Sequence, residues 1–142
     1  MKIMRQTLAL AAALAVWGGL VPAHPPTAQL APVSRQVLQK VDLGDQEGIL
    51  YIADFAPRGA TGKHFHPGPE TVYVLQGAGA LEMEGHASRQ FKAGESFAIP
   101  AKHVHEARNT SAADPWKLLV FLAGEKNQPI VTAVTQPYFW TP

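Results

Sequence analysis

Short runs of β-branched and aromatic residues, interrupted every few positions by glycine or proline, constrain this chain more than any other feature. From Val33 onward the apolar residues recur with a period of two, the spacing of a strand with one buried face. Ile49 to Phe55, Thr71 to Leu75, Ala80 to Glu84, Gln90 to Phe91, Ser96 to Ile99, Val104 to Arg108, Lys117 to Ala123 and Ile130 to Val134 each read as a strand. Gly44-Asp45, Pro57-Arg58-Gly59, Pro67-Gly68-Pro69, Gly77-Ala78-Gly79, Ala93-Gly94, Pro100 and Asp114-Pro115 separate them. Past the N-terminus no segment combines a helical repeat with capping residues. About eight short strands at a spacing of roughly 8–12 residues predict an all-β domain, either a sandwich or a closed barrel.

The ends of the chain differ from this pattern. Lys2 and Arg5 precede an apolar run from Leu8 to Leu20, and Val21-Pro22-Ala23 supplies the small residues of a cleavage site. That is the pattern of a secretory signal peptide over residues 1–23. The run is shorter than the about 20 apolar residues of a membrane span. Residues 24–34, rich in proline and alanine, read as a flexible linker, residues 35–134 as the folded domain, and residues 135–142 as an aromatic tail with Tyr138, Phe139 and Trp140. The expected compartment is a bacterial periplasm or the exterior. There is no cysteine, so neither a disulfide nor a cysteine-linked lipid is available. The formal net charge of +1 includes Lys2 and Arg5, which leaves the exported chain close to neutral. With no basic run, neither nucleic acid nor, after signal cleavage, a membrane is expected as a partner.

The chemistry concentrates in His64-Phe65-His66-Pro67-Gly68-Pro69-Glu70. Two histidines one residue apart share one face of an extended strand. The Pro-Gly-Pro turn can fold Glu70 back toward them, and His105, arriving from a distant strand, completes a set of three nitrogens and one oxygen. Such a set suits a divalent first-row metal. A chain that folds after export loads its metal outside the cytoplasm, where raw affinity favours copper and zinc. Three neutral imidazoles and one carboxylate leave about one net positive charge on a divalent ion, which favours anionic or enolate ligands. His103, two residues before His105, is a further candidate for the same face. His86, Glu82 and Glu84 read as solvent-exposed. Gln76 and Asn109 share the parity of Glu70 and His105 and are expected to face inward, and Val72, Val74, Phe97 and Ile99 to wall the cavity.

These residues carry a family resemblance. Gly59, His64, His66, Glu70 and Gly77 are similar to the first motif of the small single-domain cupins, with Gly59 one residue closer to His64 than that motif has it. Gly94, Pro100, His105 and Asn109 are similar to the second motif, with Lys102 where the family has glycine. The motifs cover Gly59 to Asn109, and the strand pattern extends the match from about Arg35 to Val134. The resemblance implies a double-stranded β-helix, or jelly-roll barrel, with a metal (Fe, Mn, Cu, Ni or Zn) near its mouth, held by His64, His66, Glu70 and His105. It further implies a small-molecule ligand or substrate. A quercetinase-like dioxygenase acting on an enol, catechol or flavonol-like substrate is the expected activity, with Glu70 as both ligand and general base. The alternatives are a non-enzymatic metal or small-ligand binding module and a sugar or keto-acid isomerase or lyase. A homodimer is expected, with the Arg35 to Leu43 segment as a strand exchanged between subunits.

Overall fold

The computed structural model describes residues 32–135, so the expected signal peptide, most of the linker and the aromatic tail lie outside the described residues. Ten strands follow one another: β1 (Val33–Asp42), β2 (Gln46–Phe55), β3 (His64–Phe65), β4 (Glu70–Gln76), β5 (Ala78–Met83), β6 (Arg89–Lys92), β7 (Ser96–Ile99), β8 (His105–Asn109), β9 (Trp116–Glu125) and β10 (Thr132–Ala133). Among the described residues there is no helix. The strands form two five-stranded antiparallel sheets, ordered β1-β2-β9-β4-β7 and β10-β3-β8-β5-β6. This is the expected all-β double-stranded β-helix.

The period-two pattern places the core between the sheets. Ile49, Tyr51, Ala53 and Phe55 of β2 point inward beside Leu122, Val120, Leu118 and Trp116 of β9, in register. Leu81, Phe91 and Ala107 of the second sheet close on them. Trp116 is fully buried with its ring against Phe55, centroids 4.9 Å apart. The other side of that ring lies on Gly79, where an added Cβ would stand 2.3 Å from an indole carbon. Only glycine leaves room there.

Two local features set the site. The Pro67-Gly68-Pro69 turn lies flat on the end of β9, so close that a Cβ on Gly68 would fall 1.7 Å from the Ala123 carbonyl oxygen. This contact directs the chain into β4 with Glu70 at its first inward position. The β7–β8 turn then closes over the same region. Lys102 adopts a left-handed φ of 59° there, and its backbone N–H donates to the His66 carbonyl at 3.0 Å. The turn therefore keeps the geometry for which the family uses glycine, with about 1–2 kcal/mol of backbone strain at a lysine.

One expectation of the strand pattern changes. Gln76 is exposed, not inward. The β4 ladder shifts register between Val74 and Gln76, and at this bulge both Leu75 and Gln76 are exposed. Within the single chain β1 pairs with β2 from Val33 to Asp42, with a bulge between Val37 and Gln39.

Candidate metal centre

His64, His66 and His105 meet between the sheets, each 2–3% exposed. β3 pairs with β8 through a single register position, His64 opposite His105. His66 follows on the same face as His64. One ring nitrogen of each histidine lies within 4.8 Å of those of the other two. Glu70 reaches the group from β4, with Oε2 3.1 Å from His66 Nε2. The structure thus groups the three histidines, and Glu70 joins them through its contact with His66.

The main chain orients every ring. His64 Nδ1 bonds the Gly62 carbonyl at 2.9 Å, His66 Nδ1 the Ile130 carbonyl at 2.6 Å, and His105 Nδ1 the His103 carbonyl at 2.9 Å. A carbonyl oxygen can only accept, so each Nδ1 carries the hydrogen and each Nε2 presents a bare lone pair. His64 Nε2 and His66 Nε2 then face each other at 3.2 Å with no hydrogen between them. A carboxylate oxygen stands beside them. Such a cluster of lone pairs is repulsive by itself and becomes attractive around a cation. The donors therefore fit a divalent transition metal, and the carbonyl contacts supply the outer bonds that ligating histidines use.

Burial sets the charge states. It pushes His66 down to about 3 and His105 down to about 4, against the opposing bonds to carbonyl oxygens, and it lowers His64 as well. Neighbouring imidazoles and Arg35 add to the shift at His66 and His105. All three rings are therefore neutral near pH 7, which is the ligating form. The His66–Glu70 contact is accordingly not an ion pair. Burial raises Glu70 to about 7, with the Tyr51 hydroxyl and Arg35 opposing the rise.

Tyr51 was not a sequence candidate. Its hydroxyl donates to Glu70 Oε1 at 2.5 Å inside the barrel. Burial, then the adjacent Glu70, raises its own proton affinity, so it remains a donor. One carboxylate oxygen is thereby tethered while the other turns to the histidines. The only sequence signal was a tyrosine on the inward face of β2, whose polar end needs a partner once buried.

The other candidates have structural places. His103 Nε2 donates to the Glu84 carbonyl at 2.9 Å, so its side chain ties the β7–β8 turn to the β5–β6 hairpin. It serves the cluster through its backbone oxygen alone. Asn109 is buried as expected, but its carboxamide serves the backbone. Nδ2 reaches the Phe55, Ala56 and Asp114 carbonyls, and Oδ1 accepts from Ser111 N. His86, Glu82 and Glu84 are exposed.

The cavity beside the cluster is lined by Val72, Phe97, Ile99, Leu118, Val120, Tyr51 and Arg35 among others. Val74 belongs to the core and does not reach it. Its free volume is about 30 Å³, room for one or two waters. A larger depression of about 220 Å³ shares His105 with it but is rimmed by Lys63, Glu82, Glu84, His86 and Glu106.

A jelly-roll barrel with three buried imidazoles and a carboxylate at one end defines a class of barrels able to hold a metal ion. The chain matches the cupin domain over residues 51–122 and belongs to that family. Among solved structures, a cupin-2 domain protein from Rhodospirillum rubrum aligns at 22% identity over 73% of this chain and 66% of its own, with a TM-score of 0.60. The DMSP lyase DddQ from Ruegeria pomeroyi aligns at 24% identity over 63% of this chain and 44% of its own, with a TM-score of 0.56. Oxalate oxidase aligns at 27% identity over 61% of this chain and 46% of its own, with a TM-score of 0.54. The chain thus spans less than half the length of both named enzymes. No curated protein sequence matches it.

Proposed function

We propose that this cupin is a metal-dependent, dioxygenase-like oxidoreductase that acts on a small oxygen-bearing substrate of enol, catechol or flavonol type. The observation that carries this is the convergence of three Nε2 lone pairs and one carboxylate in a buried pocket. His64, His66, His105 and Glu70 would hold the ion, which when bound supplies Lewis acidity and, for iron, copper, manganese or nickel, a redox couple. The carbonyls of Gly62, Ile130 and His103 keep the imidazoles in the ligating tautomer. Glu70, whose Oε2 stands 3.1 Å from His66 Nε2, is the carboxylate of the site able to accept a proton from an enolic hydroxyl. The apolar walls exclude bulk water. The likeness to oxalate oxidase supports chemistry of the oxidase or oxygenase type.

Oxygen uptake by protein reconstituted with iron, copper, nickel or manganese, with catechol and a flavonol as substrates, tests the proposal. Uptake that a His64→Ala, His105→Ala variant lacks supports it. No uptake with any of these metals refutes it. The small cavity favours a second possibility, a binding module without turnover. A ligand retained unchanged through purification would point there.

Two further parts of the proposal concern setting. Export to the periplasm would follow from residues 1–23, and cell fractionation tests it. A homodimer would form through the outer face of the first sheet, where Val41, Tyr73 and Phe121 are exposed at 48%, 46% and 38%. Light scattering on a Phe121→Glu variant tests that contact.

A further inference from the structure

Arg35 lines the same cavity as Tyr51, Glu70 and the three histidines, yet nothing proposed so far uses it. Its position follows from the β1 register. Val33, Arg35 and Val37 stand opposite Phe55, Ala53 and Tyr51, all buried on the inward face of β2. Arg35 therefore carries the inward parity of an edge strand. The small Ala53 opposite leaves space for a long side chain, and the residue remains exposed. An arginine that is exposed and also lines the cavity sits at its mouth. It is the only cationic side chain in the lining among the described residues.

Arg35 also lacks a counter-ion. Among the described residues it has no carboxylate within 4.0 Å, which it shares with Arg58, Lys63, Arg89 and Lys92, but of these five it alone lines the cavity beside the histidines. Its charge nevertheless bears on the interior, depressing the proton affinity of all three histidines, Tyr51 and Glu70. A planar guanidinium presents two parallel donors that match a carboxylate. The free volume beside the histidines admits little more than one or two waters, so most of a substrate would lie outward of it, toward Arg35.

We propose that Arg35 binds the carboxylate of the substrate, and that the substrate class is a small 2-hydroxy, 2-oxo or enolic acid, whose neighbouring oxygen faces the histidine–glutamate cluster. This rests on the proposed metal centre and narrows its substrate from oxygen-bearing molecules in general to carboxylic acids. The competing role for Arg35 is to steady the buried Tyr51 hydroxyl, to which its side chain hydrogen-bonds, a role that needs no ligand.

The experiment uses the protein loaded with cobalt(II), its metal content measured, and follows the cobalt absorption during titration with glycolate, the smallest 2-hydroxy acid, or with azide. Arg35→Met should keep its metal, bind azide within about threefold of the wild type, and bind glycolate about 10- to 100-fold more weakly. Arg35→Lys should recover part of the loss, since it restores the charge without the fork. Equal glycolate affinity in the wild type and Arg35→Met, both fully loaded, overturns the assignment of Arg35 and leaves the metal centre standing. Failure of loaded wild type to bind glycolate overturns it as well. Failure of the wild type to take up cobalt would refute the metal centre instead. Calorimetric titration of the metal-free proteins with glycolate then decides Arg35 by itself: binding lost in Arg35→Met supports it, and no binding in the wild type overturns it. Were Arg35→Met to aggregate, the Arg35→Lys and wild-type titrations would still carry the comparison.

Discussion

Removing one oxygen atom from Tyr51 should weaken metal binding without disturbing the barrel. Tyr51 is 3% exposed, so Tyr51→Phe keeps the ring packed and deletes only the hydroxyl that donates to Glu70 Oε1 at 2.5 Å. A hydrogen bond to a charged group contributes about 1.5–3 kcal/mol. In the wild type this bond favours ionised Glu70 and opposes the burial that raises it to about 7. Losing it moves Glu70 upward by about one to two pH units, at about 1.4 kcal/mol per unit. Glu70, half ionised at pH 7 in the wild type, would then be mostly protonated, and metal affinity there should fall about 5- to 50-fold. Competition titration of zinc or cobalt against a chelating dye measures this. The effect should vanish in a Glu70→Gln background, because the hydroxyl acts through that carboxylate. Unchanged affinity in Tyr51→Phe refutes the reasoning, as does an equal loss when Glu70→Gln is already present.

Three other outcomes are expected. Metal affinity of the wild type should fall by up to about tenfold per unit as pH drops from about 7 to 5, because Glu70, raised to about 7, gains a proton the metal must displace while His66 and His105, lowered to about 3 and 4, do not; a pH series of the same titration should be clearly shallower over that window in Glu70→Gln, and an equal slope there refutes the assignment. Gly79→Ala should destabilise the fold by about 1–3 kcal/mol in thermal melts, since its Cβ would stand 2.3 Å from the Trp116 ring. Asn109→Ala should cost about 2–4 kcal/mol in chemical denaturation through its lost backbone bonds, with metal affinity measured on the folded fraction unchanged.

The fold was legible because period-two alternation and turn residues are local signals, and both survive in this chain from Val33 to Ala133. The four clustered residues were legible because His64, His66 and Glu70 are close in sequence and His105 begins an obvious strand. Tyr51 was not, because it reads as one more apolar residue of β2. Its partner Glu70 lies on β4, two places away in the sheet with β9 between them. No spacing rule links strands that are neither consecutive nor paired. Arg35 was missed for a related reason. β1 is exposed along almost its whole length, so polarity does not mark its inward face, and only the register with β2 does. Gln76 shows the opposite failure. Its parity was clear from the sequence, but the bulge after Val74 left no residue signature.

The three histidines take their orientation from the carbonyls of Gly62, Ile130 and His103, none of which a side-chain substitution removes. The imidazole frame is therefore insulated from mutation in a way that a frame of aspartates or glutamines would not be. Val72, Phe97, Ile99 and Arg35 supply none of those three bonds to the rings. A library built at those positions would explore new substrates on an unaltered donor set, which makes this small barrel a scaffold for redesigned specificity.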